Sequence, residues 1–167
     1  MTRLVRVTAL GLALLAAVAG WRWWNGPERQ IRLLLEEIEH ALSQGNEPGG
    51  LAHLAAGAAL NRLLAPDVVI EPEPPFPALT GRDAVLAGAA TARAAAPGMQ
   101  VAFTDVGIGV TPDGRSATVS ATARLTIPQG SGPSQMEARE VLLTVVLEDG
   151  HWVVSRARAV SVIERIN

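Results

Sequence analysis

From Ser116 to Leu125 the chain reads Ser-Ala-Thr-Val-Ser-Ala-Thr-Ala-Arg-Leu, ten residues that alternate polar and apolar without a break. A period of two puts one set of side chains on each face of a sheet. Ala117, Val119, Ala121 and Ala123 are therefore assigned to a core, and Ser116, Thr118, Ser120 and Thr122 to the outward face. Upstream, Met99, Val101 and Phe103 alternate, but the apolar parity then switches to Val106, Ile108 and Val110. A switch of parity within one strand predicts a β-bulge near Thr104 and Asp105. Pro112-Asp113-Gly114 turns the chain, Gln129 to Ser134 reads as a loop, and Glu137 to Glu148 as a strand. Asp149-Gly150 is a two-residue hairpin signal, and His151 to Ile163 reads as the closing strand.

The first half has helical spacing instead. From Glu28 to Ser43, Ile31, Leu34, Leu35, Ile38 and Leu42 recur on one face, with Pro27 at the start and Gly45 after the end. After a polar turn over 44–50, a second helix is expected over 51–64, with Leu51, Leu54, Ala58 and Leu63 as its buried line. Val68 to Ile70 reads as a short strand. The run Glu71-Pro-Glu-Pro-Pro-Phe-Pro77 has four prolines and cannot lie inside a sheet. Thr80 is a candidate N-cap for a small-residue helix over Val85 to Ala95, stopped by Pro97-Gly98. Helices first and an antiparallel meander afterwards define an α+β domain with helices on one face of a curved antiparallel sheet.

A chain of 167 residues is enough for one domain with a core. Its net charge of −2 and the absence of any block of like charge argue against a nucleic-acid partner. All 14 basic residues are Arg, and Cys and Tyr are also absent. Disulfides, thiolate nucleophiles, Cys-ligated zinc, Schiff bases and phenolic acids are thereby excluded. The three histidines share no metal-ligand spacing. No metal and no cofactor is expected.

The N-terminus carries a separate signal. Arg3 and Arg6 precede an uncharged apolar run from Val7 to Gly20, followed by Trp21-Arg-Trp-Trp24. Residues 4–24 come close to the length a membrane span requires, with tryptophans suited to the interface. Ala17-Val18-Ala19 also has the small-x-small form of a signal-peptidase site. Cleavage there would expose a tryptophan-rich terminus, which favours an uncleaved anchor. Residues 1–26 are thus expected to be a signal-anchor, and 27–167 a folded domain on the extracytoplasmic, periplasmic side.

The element order, with Asp67-Val-Val-Ile70, Thr80-Gly-Arg-Asp-Ala-Val85 and Gly150-His-Trp-Val-Val-Ser-Arg156, resembles the nuclear transport factor 2-like superfamily, which includes the SnoaL-like polyketide cyclases. The resemblance covers roughly Glu28 to Ile166. It implies a cystatin-like cone in which the sheet wraps around three helices and leaves a pocket at its open end. Enzymes of the superfamily place an Asp there, often with a His or Tyr, for proton abstraction beside a carbonyl. No such motif matches here residue by residue.

Candidates for a pocket or ligand-binding role are Asp105 at the expected bulge, His53 on the second helix, and Trp152. An arginine set joins them: a two-residue turn at Asp149-Gly150 sets Leu147 against Trp152, Leu143 against Arg156 and Val141 against Arg158. In that register Arg139, Arg156 and Arg158 share one face, with Arg124 beside them. Inside the cone such a cluster could hold a carboxylate or phosphate; outside it would be a solvated outer face, balanced by Glu137 and Glu140, or meet a partner protein. For His40, four residues after Glu36, and His151, opposite Glu148, surface pairing is the simpler reading. The expected function is a non-enzymatic, membrane-anchored domain acting in partner binding or structural support, as a monomer or as a dimer through a face other than the polar one. The alternative is a small-molecule binder or enzyme of isomerase, dehydratase or cyclase type.

Overall fold

The computed structural model describes residues 26–43, 50–129 and 132–160, and within them the side chains of residues 50–53 are left out. The expected anchor at 4–24, the turn at 44–49 and the end of the last strand lie outside the described residues. Among the described residues no helix is long and apolar enough to cross a membrane.

Among the described residues three helices and six strands follow in chain order. They are α1 (Pro27–Ser43), α2 (Gly50–Leu63), β1 (Leu64–Glu71), β2 (Leu79–Thr80), α3 (Arg82–Ala95), β3 (Gln100–Val110), β4 (Ser116–Ile127), β5 (Gln135–Glu148) and β6 (His151–Val160). One sheet contains all six strands in the order β2-β1-β6-β5-β4-β3. The meander from β3 to β6 is antiparallel throughout, as its turns require. The expectation of a wholly antiparallel sheet is corrected at one place, where β1 runs parallel to β6. The rest of the domain separates these two strands in sequence, so no hairpin forces them to oppose.

Ile31, Leu34, Leu35 and Ile38 of α1 press onto Val119, Leu143, Val145, Trp152 and Val154 of the sheet, with Leu63, Leu64 and Val68 alongside. Ile31, Val68, Val119 and Val145 are fully enclosed. Ala117, Val119 and Ala121 are buried while Thr118 and Ser120 are exposed, so the alternation reads true on β4.

On α2 the buried residues are Ala56, Leu60 and Leu63, whereas Leu54 is 71% exposed and Ala58 is exposed as well. The line expected through Leu54 and Ala58 is therefore corrected. Alanines on every side of this helix leave its apolar stripe weak, and the packing against α1 and β6 chooses the face. Thr80 does not cap α3 either. It pairs with Val69 in β2, and Gly81 at φ 87° occupies the cap position, its N–H donating to the Val68 carbonyl at 2.8 Å. That φ favours glycine.

The bulge stands where the parity switch placed it. The β3–β4 register shifts between Thr104 and Gly107, and Asp105 adopts φ 54°. The Asp149-Gly150 turn has φ 48° and 81° and joins Glu148 to His151. Positive φ at both central residues is the type I′ signature that matches strand twist.

The turn between β3 and β4 is held by Asp113, whose Oδ1 accepts from the Thr111 hydroxyl and, at 3.1 Å, from the Arg115 N–H. The Thr111 hydroxyl bond, then the Arg115 N–H, holds its carboxyl below the ordinary carboxylate range. A carboxylate with a depressed folded pKa contributes stability that is present above its unfolded pKa and lost as pH falls through the folded value. Acid titration of unfolding is expected to show a small loss below about pH 4, which Asp113→Asn removes.

The sheet edges are treated unequally. β2 ends one side with two residues. On the other, Glu39 accepts from the Phe103 N–H, and the Ser43 hydroxyl accepts from the Val101 N–H at 3.1 Å. These residues lie one helical turn apart on α1, so they reach alternate residues of β3 and cover its first half.

Candidate functional site

Among the described residues, the concave side of the sheet is packed where α1 crosses it. Its described lining is the apolar set pressed by α1, and the buried charged residue there is Arg93. Arg93 stands on α3, with Nε donating to its own helix at the Ala89 carbonyl and NH1 reaching the Ala41 carbonyl at 3.4 Å. Ala41 lies in the last turn of α1, where carbonyls lack intrahelical partners, so a guanidinium from a neighbouring helix caps α1. Burial lowers the Arg93 pKa from its ordinary value, but a guanidinium stays charged at any working pH. The sequence reading missed Arg93. No local pattern distinguishes it from Arg82 at the start of the same helix.

The candidate residues do not converge. Asp105 sits at the bulge but is exposed, with its carboxylate accepting from the Thr104 hydroxyl at 3.2 Å. The His53 side chain lies outside the described residues. Trp152 is 7% exposed, packs in the core and lies opposite Leu147.

The arginine cluster is corrected outright. A bulge in β6 sets Arg156 against Thr144 while Val154 stays against Val145, so Ser155 is the extra residue. That residue turns Arg156 and Arg158 to the outer face with Thr144 and Leu142, and Arg139 stays on the concave side with Val141 and Leu143. Arg124, opposite Ala138, is also outward. Arg156 meets Glu71 at 3.7 Å on the outside. Arg139 instead meets Glu73 of the proline-rich segment at 3.2 Å, and both are well exposed. A pair of this kind at the surface is worth about 0–1 kcal/mol.

Two concavities border α1. One, of about 430 Å³, sits where α1 covers β3 and is lined by Glu36, Glu39, His40, Ser43 and Arg124 among others. The larger, of about 1090 Å³, is an open groove between α1, α2 and the β5–β6 hairpin. Leu34, Ala56, Ala59, Leu63 and Trp152 supply its apolar surface. Alanine on α2 where leucine faces it on α1 is what makes the depression. Glu37, Arg62, Arg82, Glu148 and His151 bring charge of both signs to the same groove. The Nε of Arg82 is enclosed and has no hydrogen-bond partner among the described residues. No group of His, Asp and Glu able to hold a metal occurs among the described residues.

Three helices against the concave side of a curved six-stranded sheet define the cystatin-like cone. Residues 52–155 match the family model of the SnoaL-like domain, and the chain belongs to that family. Among solved structures, a nuclear transport factor 2-like protein with a cystatin-like fold from Novosphingobium aromaticivorans is similar at 21% identity and a TM-score of 0.66, over 87% of this chain and 88% of that one. A protein from the same organism, provisionally assigned as a scytalone dehydratase, is similar at 19% identity and TM-score 0.65, over 79% of this chain and 81% of the other. A nuclear transport factor 2-like protein of unknown function from Pseudomonas putida KT2440 follows at 17% identity and TM-score 0.62, over 79% and 84% of the two chains. At these identities the likeness concerns fold. No curated protein matches the chain in sequence.

Proposed function

We propose that this SnoaL-like domain is a non-catalytic, partner-binding module, held at the outer side of a membrane by its N-terminal segment. The observation that carries the reading is the packed core that α1 forms with the concave side. Where a catalytic domain of this shape needs a cavity with an acid–base pair, α1 and the sheet meet in a packed apolar core. The large concavity lies instead on the helical surface, and it has the apolar floor and charged rim of a docking groove. From Gln30 to His40 it follows α1 for roughly 15 Å at 1.5 Å per residue, which suits an apolar helical segment of a partner protein. The tether rests on Arg3, Arg6 and the apolar run to Trp24.

A photo-crosslinking residue at Ala59, introduced into the full chain in cells, tests the groove. One partner captured reproducibly, and no longer captured when Ala55→Trp fills the groove beside it, is the expected result. Turnover of a small carbonyl substrate that vanishes with Asp105→Asn would overturn the reading in favour of an enzyme. Export is tested separately with a C-terminal β-lactamase fusion, which is expected to confer resistance only when residues 1–26 are present.

A further inference from the structure

The sheet edge formed by β3 is covered along its first half and open along its second. Thr111 donates to the Ser116 carbonyl at 2.9 Å, and from there Gly109 pairs with Thr118 and Gly107 with Ser120. In an antiparallel ladder, hydrogen-bonded and non-hydrogen-bonded pairs alternate. Gly109 and Gly107 therefore exchange bonds with β4, and Ile108 and Val110 turn their N–H and C=O groups outward. Glu39 and Ser43 reach Phe103 and Val101, and among the described residues nothing takes the groups of Ile108 and Val110.

The two glycines add a second observation. Both are exposed, and neither has positive φ. A Cβ on Gly109 would meet nothing nearer than the Thr118 carbonyl oxygen at 3.9 Å, and on Gly107 the near atom, at 2.8 Å, is the rotatable Ser120 hydroxyl. Neither backbone conformation nor packing among the described residues requires glycine at 109, although glycine weakens a strand. Bare positions beside open backbone groups are what a second strand with large side chains needs. At the entry to this stretch stands Asp105, exposed and without an ion pair among the described residues.

We propose that residues 106–110 of β3 are a strand-addition site for an extended segment of a partner protein. The segment's large side chains cover Gly107 and Gly109, and a basic residue at its C-terminal end meets Asp105. The inference rests on the partner-binding reading but not on the groove. A second copy of this chain fits less well: paired antiparallel about Ile108, it sets Gly107 against Gly109 and brings no basic residue to Asp105. Pairing of this kind draws affinity from main-chain hydrogen bonds and specificity from alternate side chains. Aromatic side chains are the natural cover for edge glycines.

The test uses the full chain in detergent micelles, titrated with the peptide acetyl-Thr-Phe-Val-Phe-Thr-Arg-amide and followed by backbone amide chemical shifts. Saturable shifts of Ile108 and Val110 are expected. Kd should rise at least tenfold when the central valine of the peptide is N-methylated, and again with Gly109→Lys, whose side chain has room. Val110→Pro removes an outward N–H only, which an edge strand tolerates, and should weaken binding likewise. Absence of saturable shifts, or binding indifferent to N-methylation and to Gly109→Lys, overturns the proposal. Self-association abolished by Gly109→Lys assigns the edge to a second copy and also overturns it. If the peptide fails while the crosslinker at Ala59 still captures its partner, only the strand-addition site falls. Failure of both removes the partner-binding reading as well.

Discussion

Ile31→Ala is expected to destabilise the domain by about 2–5 kcal/mol, the range for truncating a large aliphatic side chain in a packed core. Ile31 is 0% exposed and belongs to the cluster that joins α1 to Val119, Val145 and Trp152. The cost has two parts, the lost transfer free energy of the deleted carbons and the cavity left behind. Collapse into that cavity is opposed from both sides, because α1 is also pinned to β3 through Glu39 and Ser43. A domain of ordinary stability has roughly 5–15 kcal/mol in all, so a large share is lost. Urea unfolding followed by circular dichroism measures it. A fall in midpoint of the size seen for an exposed position such as Leu33→Ala would show that α1 does not seal the core.

Arg93→Met is expected to cost about 1–3 kcal/mol, because it strands the Ala41 carbonyl at the end of α1 in a place water does not reach. Methionine retains most of the stem's volume, so the loss reads the hydrogen bond rather than the packing. Arg93→Ala should cost more, since it removes the stem too. Arg93→Lys carries the charge but not the planar fork that serves Ala89 and Ala41 together. Equal stability of the methionine variant and the parent would mean that the Ala41 carbonyl finds another partner. Hydrogen exchange in the last turn of α1 is the finer probe, and protection there should drop with Arg93→Met while the N-terminal turns keep theirs.

Much of the fold was legible because period and punctuation act locally. The alternation from Ser116, the parity switch at Thr104-Asp105 and the Asp149-Gly150 turn each depend on a few neighbouring residues, and each is present where the residues placed it. The first helix was equally readable from its leucine and isoleucine spacing. What misled was composition without contrast. On α2 an alanine-rich face gives no stripe strong enough to choose between Leu54 and Leu60. The candidate site was less legible. The arginine register assumed an unbroken β6, although the apolar parity of that strand switches from Trp152 and Val154 to Ala157 and Ala159 across Ser155, the same sign that placed the bulge in β3. Arg93 carried no local pattern at all, because its partner lies 52 residues away.

The sequence alone determined that helices would precede an antiparallel meander, that β4 would turn Ala117 and Val119 inward, and that β3 would bulge. These follow from sterics and hydrophobic patterning within short stretches. Only the tertiary structure decided that β1 would run parallel to β6, and that α1 would pack onto the concave side and cover half of an edge. Each of those depends on contacts between segments far apart in the chain, where burial and backbone hydrogen bonding are settled jointly and no local period records the outcome.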